Sequence, residues 1–165
     1  MSPVAPRRTR ATKAAPALSL SVQYASNAPD LPTRSQLRRW VRAALATDAV
    51  VTVRFVDAIE GRALNAEFRG KDYATNVLTF VYDDAAPRAG DVVLCAPVVH
   101  REAQAQDKPL VMHYAHLVVH GLLHLQGFDH ERAADAAVME AREVAILDRL
   151  GVPDPYLPRA PHDRR

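Results

Sequence analysis

The sequence predicts a single α+β domain with a small four-stranded mixed sheet and about five helices. Three observations predict it. The first half of the chain holds short strand-like runs separated by helix-period segments. The second half is a run of helical patterns, and no internal repeat divides the 165 residues. That length is enough for one hydrophobic core, and 48% hydrophobic with 24% charged residues is the composition of a folded globular chain.

Residues 1–16 are rich in Pro, Ala and Arg and are expected to form a disordered tail. The domain proper is expected at 17–157, with a second tail at 158–165. Residues 18–24, Leu-Ser-Leu-Ser-Val-Gln-Tyr, alternate strictly, as a half-buried strand does. After a Pro and Asp cluster, Thr33 offers a side-chain oxygen to first-turn N–H groups. It is expected to cap a helix with Leu37, Trp40, Val41, Ala44 and Leu45 on one face. Residues 50–56 read as a second strand, and 58–68 as a second helix with Ile59, Ala63, Leu64 and Phe68 inward. Residues 76–82 and 91–95 supply two more strands around a Pro- and Gly-containing loop. A short helix is expected over 97–106. Residues 110–125 are apolar around most of the helical circumference, which marks a helix buried in mid-domain. A long amphipathic helix over 131–150 is ended by Gly151 and Pro153.

Charge and cysteine usage bound the function. A net charge of +2 is too small to demand a polyanion partner, although basic residues cluster at Arg7, Arg8, Arg10 and Lys13, and again at Arg34, Arg38, Arg39 and Arg42. Such runs are usually solvated. The acid-free N-terminus suits an organellar transit peptide or a bacterial-type extension, and lacks the apolar stretch of a secretory signal. No segment has the length of a membrane span. The lone Cys95 excludes an internal disulfide and any multi-cysteine metal site. Within Val92-Val93-Leu94-Cys95 it reads as a small buried filler, and the chain suits a reducing compartment.

The most informative stretch is His120-Gly121-Leu122-Leu123-His124-Leu125-Gln126-Gly127-Phe128-Asp129-His130. Residues four apart lie on one helical face, so His120 and His124 can address a common ion, as in zincin-type helices. Gly127 can take a left-handed conformation, stop the helix and let the chain double back with His130. Two histidines at this spacing also arise by chance, but a third just beyond a glycine stop argues against chance. Three neutral nitrogens leave a fourth tetrahedral position for water, the pattern of catalytic zinc; nickel, copper and iron compete for such a site. His113 and His116 lie near the same face upstream, where a supporting role and a plain core or surface role both remain open. His100 and His162 carry no pattern. A zinc protease of the His-Glu-x-x-His type has its general base after the first histidine, where this chain has Gly121. Phosphodiester chemistry needs that base less, because the ion itself activates water and stabilises phosphoryl oxygens, and an arginine can hold the phosphate.

Residues 120–130 closely resemble the His-Gly-x-Leu-His-Leu-x-Gly-Tyr-Asp-His signature of the YbeY family, bacterial ribosomal-RNA maturation factors and single-strand endoribonucleases. The stretch from Arg69-Gly70-Lys71 through Thr75-Asn76-Val77-Leu78-Thr79-Phe80 resembles a second family element. Gly90-Asp91-Val92-Val93-Leu94 and Asp154-Pro155-Tyr156 resemble two more, all in family order from about residue 20 to 157. The resemblance implies one zinc ion on His120, His124 and His130, with His120 and Arg69 serving cleavage. It implies single-stranded ribosomal RNA as substrate, in small-subunit 3′-end maturation and ribosome quality control. Ribosomal particles, a ribosomal protein and an assembly GTPase are the implied partners, in the cytoplasm, with no membrane or DNA partner. Water and the ribose 2′-OH both remain open as nucleophile. Lys71 reads as a solvated loop lysine, and Thr75 and Asn76 as shaping the turn into the strand. Asp129 either orients His130 or caps the next helix, with capping the safer reading. Three departures from the family pattern are Phe128 for Tyr, Thr79 for Ser and Val81 for Pro, the last expected to prolong its strand. Two rival functions stand beside the nuclease. One is a metallohydrolase of other substrates, which needs a base the sequence does not supply. The other is a ribosome-assembly factor with a structural metal and little nuclease activity.

Overall fold

A computed structural model describes residues 14–157. Residues 1–13 of the expected N-terminal tail, and all of 158–165, lie outside the described residues. The described elements run β1 Leu18–Ala25, α1 Arg34–Ala44, β2 Ala49–Val56, α2 Ala58–Arg69, β3 Val77–Asp83, β4 Arg88–Cys95, α3 Ala96–Ala105, α4 Leu110–Leu125 and α5 Ala133–Arg149. Thr33 caps α1 as expected: its hydroxyl accepts from the Gln36 N–H, and the Gln36 side chain returns the bond to the Thr33 N–H. β3 runs on to Asp83, past Val81.

The strands form one mixed sheet in the order β1-β2-β4-β3, parallel except for the antiparallel β3–β4 pair. Alternation divides its residues between two faces. Val51, Val53 and Phe55 of β2 and Val92 and Leu94 of β4 join α1, α4 and α5 in the main core. Val56, Leu78, Val93 and Cys95 turn the other way, to a smaller cluster closed by Val98 of α3 and Leu64 of α2. Cys95 is buried there and burial pushes its thiol pKa up, as suits a filler.

Helix α2 corrects an expectation. Ile59 is 88% exposed and Phe68 58% exposed, and Ala63 also faces solvent. The inward stripe is Gly61, Leu64 and Asn65 instead. Close approach chose this face: a Cβ on Gly61 would lie 2.9 Å from Cys95 Sγ. Asn65 is buried because its Nδ2 donates to the Tyr73 carbonyl at 2.7 Å, anchoring the loop that follows. Phe68 lies edge-on to Phe80 at the margin of the sheet.

Helix α4 is the central element. Tyr114, Val118, Val119, Leu122 and Leu125 are fully buried, in keeping with its all-round apolar character. Gln126 ties its C-terminal end to that of α1, donating to the Ala44 carbonyl and accepting from the Ala46 N–H.

Candidate metal centre

The histidines converge because α4 stacks them and its end reverses. His116, His120 and His124 lie one above another, with ring centroids 6.2 Å and 4.6 Å apart. Gly127 has φ +95°, which a side chain would resist. Its N–H donates to the His124 carbonyl and that of Phe128 to the Leu123 carbonyl, so the chain turns back at once. Asp129 Oδ1 then accepts from the backbone N–H groups of His130 and Glu131. Asp129 therefore shapes the loop and does not cap α5, whose N-cap is Arg132. The turn brings the His130 ring to 5.5 Å from His120 and 4.8 Å from His124.

The residues fit a metal ion. One nitrogen from each of His120, His124 and His130 lies within 4.8 Å of the others. His120 Nε2 and His124 Nε2 are 3.1 Å apart, close to the roughly 3.3 Å edge of a tetrahedron with metal–nitrogen bonds of about 2.0–2.1 Å. Burial, with His120 and His130 alongside, depresses the His124 pKa to about 4, so its ring is neutral near pH 7, as a ligand must be.

Gly121 explains why the protease-type base is missing. A Cβ there would meet Val92 Cγ1 at 2.8 Å and Thr79 Oγ1 at 3.3 Å. The position faces the sheet, and a glutamate does not fit.

The three histidines open on a cleft that Arg69, Thr75, Asn76 and Thr79 also line. Arg69 is exposed in the last turn of α2, which Gly70 ends with φ +66°. Asn76 is pinned: its Oδ1 accepts from the Val77 N–H at 2.6 Å and its Nδ2 donates to Glu102 at 3.0 Å. It shapes the turn, as expected, and also lines the cleft. Lys71 is exposed in the neighbouring loop.

A family model described as Endoribonuclease YbeY matches residues 23–151. The chain belongs to the YbeY family. An endoribonuclease YbeY of Thiobacillus denitrificans is 62% identical over 144 residues, covering 86% of this chain and 98% of the relative. That of Nitrosomonas europaea is 59% identical over 140 residues, covering 85% of each. A Thermotoga maritima protein solved in solution shares the fold, with TM-score 0.51 and 23% identity over 80% of this chain and 91% of that one.

Beside the YbeY-type histidines lies one group that the sequence reading missed, and His116, left open there, supports it. Glu143 is fully buried and meets both His116 and His120. Its signal was present in the sequence: a carboxylate on the apolar stripe Met139, Glu143, Ile146 and Leu147 of α5. His113 is buried against Glu102 at 3.1 Å, and the half-buried His100 meets the Tyr114 hydroxyl at 2.9 Å, both away from the cleft's three-histidine group.

Proposed function

We propose that this chain is a zinc-dependent endoribonuclease that cleaves single-stranded ribosomal RNA, with His120, His124 and His130 holding the ion and Arg69 serving the phosphate. One observation carries this reading: three imidazole nitrogens converge in a cleft that an unburied guanidinium shares. Zinc bound there would polarise the scissile phosphate and lower the pKa of a nucleophilic hydroxyl. Arg69 is a fork of N–H donors lining the same cleft, suited to neutralise charge that develops on phosphoryl oxygens. His120 serves by presenting Nε2 to the ion while its Nδ1 is held elsewhere. A single strand can lay its backbone along the cleft that the histidines and Arg69 line.

The biological setting proposed is small-subunit 3′-end maturation and ribosome quality control in the cytoplasm, with ribosomal particles, a ribosomal protein and an assembly GTPase as partners. The relatives' name supports RNA cleavage. Among the described residues no helix is long and apolar enough to cross a membrane, which accords with that setting.

The test incubates zinc-replete protein with single-stranded ribosomal RNA, beside His124→Ala and Arg69→Ala. Wild-type cutting should fall by at least about 100-fold in both variants. Arg69→Ala should retain one zinc per chain. Absence of cutting by wild type that still binds zinc would favour the assembly-factor reading instead.

A further inference from the structure

Glu143 is a carboxylate with no exposure to solvent, placed on α5 directly behind the metal-facing histidines. Its Oε1 lies 2.5 Å from His120 Nδ1. Its Oε2 accepts from His116 Nε2 at 3.0 Å and from the Tyr156 hydroxyl. A buried charge without partners is costly, and here three donors meet it. We propose that Glu143 is the positioning residue of the metal centre, holding His120 in the Nδ1–H tautomer so that Nε2 keeps its lone pair for the ion, with Tyr156 and His116 locking the carboxylate in place.

The geometry supports each link. An imidazole that donates from Nδ1 to a carboxylate has its Nε2 free to ligate, and the ring is also held in orientation. His120 Nε2 does face His124 Nε2 at 3.1 Å. His116, His120 and Glu143 are themselves near enough to hold an ion. Their hydrogen-bond pairing, and the Tyr156 hydroxyl already on Oε2, assign them to support of the neighbouring site.

Tyr156 is in turn held by its own segment. The Asp154 carboxylate accepts from the Tyr156 N–H at 2.8 Å, and Lys108 Nζ donates to the Pro155 carbonyl at 3.2 Å. The Asp154-Pro155-Tyr156 ending thus gains a role: it reaches back across α4 and α5 and fixes the carboxylate behind a metal ligand.

The inference rests on the metal reading but not on RNA cleavage, and two measurements separate them. Imidazole nitrogen NMR on the metal-free wild type should find His120 as the Nδ1–H tautomer. Finding it with the proton on Nε2 would overturn the proposal, whether or not any variant folds. Competitive zinc titration should then give Glu143→Gln a 10- to 100-fold weaker affinity, with circular dichroism unchanged. Tyr156→Phe, which leaves the His120–Glu143 bond intact, should lose less. Zinc affinity of Glu143→Gln within twofold of wild type would sink the positioning role while leaving the nuclease reading standing. Wild type that binds zinc but cuts no RNA would do the reverse.

Discussion

On one face of the sheet, α1, α4 and α5 enclose a continuous core from Leu37 to Leu147 and set the buried Glu143 at its margin. On the other face, α2 touches the sheet through Gly61 and Leu64 and leaves most of its length to solvent. The two faces meet at the β3 edge, where the cleft opens. The thick face supplies the three histidines, and the thin face supplies Arg69. The contrast assigns different physics to the two halves of the site. The proposed metal ligands need fixed geometry, and close packing gives it. Arg69, proposed to serve the phosphate, sits at an exposed helix end that leaves it free to move.

Two truncations measure the contrast most directly. Leu122 is fully buried beneath the histidines, so Leu122→Ala should cost about 2–5 kcal/mol. Ile59, at 88% exposure on α2, should cost within about 0.5 kcal/mol when changed to alanine. Urea unfolding of the metal-free protein reads both. Equal costs would mean that α2 packs as tightly as α4, and the division between the faces would be lost.

Glycine substitutions sharpen the same comparison. In an open helix interior, Gly→Ala stabilises by about 1 kcal/mol. At Gly121 the new methyl would lie 2.8 Å from Val92 Cγ1, in a layer closed on all sides, so the sign should reverse to a loss of about 1–3 kcal/mol. At Gly61 the methyl would lie 2.9 Å from Cys95 Sγ, a similar clash. There α2 has solvent behind it and can move outward, so the cost should stay under about 1 kcal/mol. Thermal unfolding of the two variants side by side gives the answer, and a larger cost at Gly61 would contradict the argument.

The same asymmetry explains what the sequence disclosed. On the thick face, burial decides which residues point inward, and apolar spacing reports burial. The extent of α4, the α1 stripe and the meeting of His120, His124 and His130 past Gly127 were therefore legible. On the thin face, α2 was turned by a glycine approach and by the Asn65 bond to the Tyr73 carbonyl, neither of which has an apolar signature. Ile59 and Phe68 misled for that reason. Arg69 could be singled out only through resemblance, because nothing in helical spacing says which strand edge its helix will end beside. Glu143 escaped because a charged residue within an amphipathic helix is normally assigned to the wet side. Only the core positions around it, Met139, Ile146 and Leu147, show that it lies on the dry one.

The smallest effect concerns the ion pair that fastens α2 to the sheet. Arg54 on β2 donates to both oxygens of Glu60 at 2.7 Å, and to Gln23 Oε1 on β1 at 3.0 Å. The bond from Arg54 holds the Glu60 carboxyl below its ordinary value of 4.5, against the opposing pull of partial burial. The Arg54 and Glu60 side chains are 32% and 41% exposed, so solvent screens most of this interaction. A double-mutant cycle of Arg54→Ala and Glu60→Ala should give a coupling of about 0.5 kcal/mol at neutral pH, smaller in high salt. Because the folded-state pKa is the lower one, the stabilisation is complete above pH 4.5 and fades as pH falls through the folded value. A coupling that survived well below that range would not be electrostatic, and α2 would then be held by packing that its exposed face does not reveal.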